Sequence, residues 1–195
     1  IDSKKMYQTY DKWPEIAKDG FDNDFEKFDA KGIDHIVFSG MGGSGSIGDV
    51  ISAILSKEDI HVSNVKGYHL PKTVDSNSLV ITTSISGNTK ETLTVLEKAQ
   101  KTDAKLAVFS SGGMIRKFSE TNDLFFQEIS MAHSPRASFP KFLFSILNIL
   151  KSIIPIKETD IKEAISSLEI TRNNIFSNNL TEENVSLKLA GWIKE

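Results

Sequence analysis

The stretch His35-Ile36-Val37-Phe38-Ser39-Gly40-Met41-Gly42-Gly43-Ser44-Gly45 passes from a short apolar run of β-type residues into a glycine cluster. Five of the twelve glycines lie between Gly40 and Gly48, so the backbone is punctuated there. Beyond them Ile47, Val50, Ile51, Ile54 and Leu55 recur at helical spacing and share one face. The stretch reads as strand, glycine turn, helix.

The same unit recurs along the chain. Ile60 to Val65 predicts a second strand. Leu79-Val80-Ile81 predicts a third, which runs into Ser84-Ile85-Ser86-Gly87-Asn88-Thr89. A helix with Leu93, Leu96 and Ala99 on one face follows. Lys105 to Phe109 predicts a fourth strand, stopped by Ser110-Ser111-Gly112-Gly113, then a short helix through Ile115 and Phe118. Leu124-Phe125-Phe126 predicts a fifth. Continuous apolar character in the first, third, fourth and fifth strands suits a parallel sheet buried on both faces. The expected fold is α/β, a doubly wound three-layer αβα sandwich with a five-stranded parallel sheet.

Past residue 139 only helices are expected. Phe139 to Ile154 reads as one apolar helix ended near Pro155, Asp160 to Phe176 as a second and Thr181 to Glu195 as a third. Thr181 is the expected cap of the last, with Glu182 and Glu183 in its first turn. Ahead of the sheet, Met6 to Phe28 predicts one or two helices around Pro14 and Gly20. Residues 1–154 are expected to form one domain and 155–195 a helical linker; 195 residues are too few for two full α/β domains.

Composition narrows the function classes. With 23 Lys plus Arg against 26 Asp plus Glu the net charge is −3, so no broad basic surface for nucleic acid is expected. The absence of cysteine excludes disulfides, thiol catalysis and cysteine-ligated metals. No His, Asp and Glu set has metal-ligand spacing, so no metal is expected. The most apolar stretch, 139–154, is interrupted by Lys141, Ser145, Asn148 and Lys151, which argues against a membrane span. The sequence begins at Ile1 rather than Met, so earlier residues are expected to be missing, and a cytoplasmic location is expected.

Two loops could carry chemistry. Gly40, Gly42 and Gly45 formally satisfy G-x-G-x-x-G between a strand and a helix. A dinucleotide would also need an acid at the end of the second strand, where Val65-Lys66-Gly67 stands, so no cofactor is expected. What survives is an anion cradle: glycines admit a close approach and the helix N–H groups point outward. In the second loop, Ser84 and Ser86 should project the same way from an extended segment, with Thr89 as a third hydroxyl. Ordinary helix capping by Ser86, Asn88 or Thr89 is the simpler alternative. Both loops follow strands, so both belong at the edge where open α/β sheets bind ligands.

Together GMGGSG, S-I-S-G-N-T-K-E-T and Ser134-Pro135-Arg136-Ala137 resemble the sugar isomerase, or SIS, domain, and within it the bifunctional phosphoglucose/phosphomannose isomerases. The resemblance implies that Gly42, Gly43 and Ser44 contact a sugar phosphate, that Ser84, Ser86 and Thr89 hold its 6-phosphate, and that Arg136 stabilises an enediolate near C1 and C2. The chemistry is coherent, because an enediolate oxygen needs a fixed cation and a guanidinium is permanently charged. A surface arginine paired with a carboxylate is the competing reading of Arg136.

The resemblance also implies what is missing. In the family the general base is a Glu in a second SIS domain, and a ring-opening His follows it, reaching the site from a partner subunit. Neither segment occurs before Glu195. The chain is therefore expected to be the N-terminal half of a two-domain isomerase that works as a homodimer. A non-catalytic sugar-phosphate binding or regulatory domain is the alternative.

Overall fold

In the computed structural model, which describes residues 2–194, five strands form one parallel sheet: β1 (His35–Ser39), β2 (His61–Val65), β3 (Ser78–Ser84), β4 (Lys105–Ser110) and β5 (Phe125–Glu128). Their spatial order is β2-β1-β3-β4-β5. The helices are α1 (Met6–Asp11), α2 (Trp13–Asp22), α3 (Gly43–Ile54), α4 (Lys90–Ala99), α5 (Gly113–Thr121), α6 (Phe139–Ile149), α7 (Glu158–Ile175) and α8 (Val185–Lys194).

Alternation along the strands sorts the core into two layers. Ile36, Phe38, Leu79 and Ile81 pack with Ile47 and Ile51 of α3, Ala17 of α2, and Phe142 and Ile146 of α6. On the opposite face Val37 and Val80 meet Ala99 of α4, and Val108 meets Leu96 of α4 and Ile115 of α5. The sandwich is therefore αβα, as the apolar strands imply. No helix links β2 to β3; Leu70 and Val74 of that irregular connection cover Val37 and Val80 instead.

Several boundaries differ from expectation, each for a physical reason. Strand β3 runs from Ser78 to Ser84 rather than 79 to 81, because Ser78, Thr82, Thr83 and Ser84 are buried in it despite their hydroxyls. Strand β5 is a half-buried edge strand, not one covered on both faces. Helix α6 stops at Ile149, and two turns on the Leu150 carbonyl fold Ile153 and Ile154 back into the core. The last helix begins at Val185, and its cap is Asn184, not Thr181. Asn184 Oδ1 accepts from the N–H groups of Ser186 at 3.0 Å and Leu187 at 3.1 Å. Glu195, the expected end of that helix, lies outside the described residues. At the other end, the break falls at Lys12, with Pro14 in the first turn of α2. Gly20 stays helical, where a Cβ would lie 2.8 Å from the Lys141 carbonyl of α6.

Among the described residues no helix is long and apolar enough to cross a membrane.

Candidate functional site

Strands β1 and β3 are neighbours, yet the helices that follow them lie on opposite faces. This reversal opens a crevice between the β1–α3 and β3–α4 loops at the carboxyl edge of the sheet. Each loop is built for close approach. Gly42 has φ +54°, a conformation that favours glycine. Gly87, at φ +71°, packs so tightly on Gly112 that an added Cβ would lie 1.8 Å from its carbonyl oxygen.

Ser44 and Ser84 stitch the crevice together. Ser44 is buried, and its Oγ accepts the Ile85 N–H at 3.4 Å, bridging the two loops. Ser84 is also buried; its hydroxyl bonds Thr89 Oγ1 at 2.9 Å and accepts the Gly87 N–H at 3.1 Å. Ser86 is exposed, with only a 3.4 Å bond from the Asn88 N–H to its Oγ. The two serines therefore do not project the same way, because extended backbone ends at Ser84 and a turn follows. Ser86 is exposed and Thr89 partly exposed, while the buried Ser84 holds Thr89 from within.

The helix starts above the crevice carry no side-chain cap. Neither Gly42 ahead of α3 nor Thr89 ahead of α4 makes a capping bond. Asn88, one of the residues expected to cap α4, instead accepts the Met114 N–H at the start of α5 at 3.1 Å. The positive ends of the α3 and α4 dipoles thus lie at the same sheet edge, although the Ser44 and Gly45 N–H groups of α3 already donate to the Met41 carbonyl at 3.1 and 3.4 Å.

Arg136 reaches this edge from the loop after β5. Its Cα lies 3.9 Å from the position a Cβ would take on Gly43, so its loop rests against the glycine loop. The other two arginines are consumed in ion pairs: Arg116 with Glu120 at 2.7 Å and Glu128 at 2.8 Å, and Arg172 with Glu15 at 3.2 Å. Arg136 is exposed and has no carboxylate partner among the described residues. The paired-surface reading of this residue does not hold.

Several groups at this edge escape sequence reasoning. The β4–α5 loop locks onto the hydroxyl loop: Ser111 Oγ donates to the Ile85 carbonyl at 2.5 Å, and the Ile115 N–H donates to the Gly87 carbonyl at 3.0 Å. Its glycines look like a strand stop, and only the shared edge reveals the contact. Ser39 and Thr82 stand side by side in register, and their buried hydroxyls, like that of Thr92 in α4, lack a partner among the described residues. Tyr68, beyond β2, is pushed above its ordinary pKa by desolvation and then by Glu91 in the first turn of α4. It stays a neutral donor at the rim. At the end of β2, Lys66 pairs with Asp49 of α3 at 2.6 Å, and Asn64 donates to the same carboxylate at 3.2 Å.

A groove of about 750 Å³ lies elsewhere, between α2 and α7, lined by Phe21, Lys27, Asn148 and Ile161 among others. It mixes lysines with carboxylates. The sheet edge holds two helix starts without side-chain caps and the unpaired guanidinium of Arg136, with Glu91 as the acid in the first turn of α4.

Residues 31–135 match the SIS domain. This chain belongs to the SIS domain family. It is 34% identical over 150 residues to the bifunctional phosphoglucose/phosphomannose isomerase of Thermoplasma acidophilum, covering 76% of this chain and 46% of that protein. It is 35% identical over 160 residues to the enzyme of the same name from Aquifex aeolicus, covering 77% of this chain and 50% of that one. The chain thus spans about half the length of the curated relatives it matches. Among solved structures, the C-terminal domain of glucosamine-fructose-6-phosphate aminotransferase from Francisella tularensis superimposes with a TM-score of 0.64 at 18% identity, covering 99% of this chain and 59% of that one. At that identity the likeness speaks for the SIS fold alone.

Proposed function

We propose that the protein interconverts fructose 6-phosphate with glucose 6-phosphate and mannose 6-phosphate, and that this SIS domain is its N-terminal, phosphate-binding half. Homology to proteins named phosphoglucose/phosphomannose isomerase supports an isomerase. The observation that carries the finer reading is the unpaired Arg136, held against Gly43 beside two uncapped helix starts.

In this reading the 6-phosphate sits over the first turn of α4, taking bonds from backbone N–H groups, Ser86 and Thr89, with Ser84 orienting Thr89 from behind. Gly42 and Gly43 let the sugar approach the backbone, and Ser44 holds the two loops at a fixed separation. Arg136 lies over C1 and C2. A base removes a proton from one of these carbons, charge gathers on the oxygens of a cis-enediolate, and a proton is returned to the other carbon while the hydroxyl proton passes between O1 and O2. The guanidinium stabilises that charge in the transition state more than in the ground state, which raises turnover rather than affinity. Among the described residues no carboxylate pairs with Arg136, and in this reading the base and the ring-opening acid come from a second SIS domain and a partner subunit. Residues 155–195 are then the linker, and the working assembly is a homodimer.

The test is turnover by the full-length protein. Conversion of fructose 6-phosphate into both aldose 6-phosphates supports the reading. Tight sugar-phosphate binding without turnover would favour a regulatory binding module instead.

A further inference from the structure

The loop that carries Arg136 is held from outside by the N-terminal helices. The indole N–H of Trp13 donates to the carbonyl of Ala137 at 2.9 Å, on the residue directly after Arg136. Ala137 is fully buried and Trp13 half-buried, so the bond is part-buried. Within the loop, Ser138 Oγ donates to the Ser134 carbonyl at 2.8 Å and accepts the Ala132 N–H at 2.9 Å, while the Phe139 N–H reaches the Arg136 carbonyl at 3.3 Å. Those bonds set the shape of the loop. They do not set where it stands.

Placement comes from the N-terminal segment: His133 Nε2 lies 3.2 Å from the Lys4 carbonyl and Ser134 Oγ 3.6 Å from Met6 Sδ, both ahead of Arg136, and Trp13 holds the peptide directly after it. The Trp13 ring is oriented by edge contact with Tyr10, 4.9 Å between centroids. Its helix, α2, is in turn clamped to α6 at Gly20 and by the Asp19–Lys141 pair at 3.2 Å. From the other side, Arg172 of α7 donates to the Asp11 carbonyl at 2.6 Å and to Glu15 at 3.2 Å, just before and after Trp13. This braced support therefore ends in an N–H donated to the peptide next to Arg136.

We infer that Trp13 is a positioning residue for Arg136: its indole N–H fixes the guanidinium-bearing loop against the glycine loop without touching substrate. The inference rests on the isomerase reading above. Displacing a catalytic group by a fraction of an ångström costs turnover while substrate binding, which rests on α4 and the hydroxyl loop, is spared.

The test uses the full-length protein and Trp13→Phe, which keeps the ring and deletes the donor. Hydrogen exchange of the peptide spanning residues 130–138 should quicken, kcat should fall about tenfold or more, and KM for fructose 6-phosphate should stay within about twofold. In an Arg136→Ala background the same substitution should cost almost nothing further, because the group being positioned is gone. Unchanged exchange would overturn the inference, as would a loss of turnover that multiplies fully with that of Arg136→Ala. If Trp13→Phe fails to fold, the isostere bearing sulfur in place of the indole N–H removes the donor alone, and the same outcomes apply. Wild-type protein that turned over none of the three hexose 6-phosphates would overturn the isomerase reading, before any variant is compared. The exchange measurement reports on the anchor independently of it.

Discussion

The two edges of the sheet differ in how their polar groups are spent. At the amino edge, where β1, β2 and β3 begin, partners are found within the protein. His35 Nε2 bonds Ser63 Oγ at 2.9 Å, Ser63 Oγ bonds His61 Nε2 at 3.2 Å, and the two rings lie 4.9 Å apart. Asp75 Oδ1 accepts from Ser78 Oγ and from the Asn77 N–H, each at 2.9 Å. At the carboxyl edge, Arg136 lacks an acid, and buried Ser39, Thr82 and Thr92 hydroxyls lack partners, among the described residues. Both edges are equally part of the fold, but among the described residues the unmet strand hydroxyls lie towards the carboxyl one. An unmet buried hydroxyl costs about 1–3 kcal/mol, so this edge, the proposed site, is the less satisfied of the two.

The contrast can be tested by substitution at each edge. The largest effect is expected at Arg136: replacement by alanine should lower kcat of the full-length protein about 10²- to 10³-fold while KM changes little, read by steady-state kinetics with fructose 6-phosphate. Retained turnover would remove the cation from the mechanism. Next comes Gly87→Ala, which places a methyl group against the Gly112 carbonyl at a positive φ. It should destabilise the fold by about 3 kcal/mol, measured by urea unfolding. Ser86→Ala should weaken sugar-phosphate binding by about 1.5–3 kcal/mol in calorimetry, the worth of one hydrogen bond to a charged group. An unchanged affinity would take Ser86 out of the phosphate cradle.

The smallest effect belongs to the amino edge. Burial, and then the charge of His61, hold His35 below its ordinary pKa of 6.5. Above that value His35 is neutral in both folded and unfolded chains and adds no pH dependence. As the pH falls below it, the unfolded chain takes up a proton that the folded one resists, so stability is lost until the folded value is passed. Urea unfolding at pH 7.5 and 5.5 should show a decline that His35→Gln reduces. A decline that His35→Gln leaves untouched would assign it to other groups.

The apolar runs at residues 36–38, 79–81 and 106–109 announced the strands, and the glycine cluster announced the first loop, because burial and backbone freedom leave marks in residue type. Other features left weaker marks. Thr82, Thr83 and Ser84 belong to β3 although their hydroxyls read as loop, since in-register pairing between β1 and β4 overrides polarity there. The direction of Ser86 depends on where extended backbone ends, which residue type does not encode. The contact of Ser111 and Gly112 with the hydroxyl loop is tertiary, as is the Trp13 bond to Ala137 across the chain. Arg136 was visible only through its resemblance to a motif; its lack of a carboxylate partner had to be seen in space.

A ¹⁵N NMR titration with fructose 6-phosphate addresses the difference between the edges in one experiment. Shifts concentrated on Gly42, Gly43, Ser86, Thr89, Lys90 and Glu91, with His35, His61 and Ser63 unmoved, are the predicted result. Shifts centred on the amino edge or on the groove between α2 and α7, with the carboxyl-edge amides still, would contradict it.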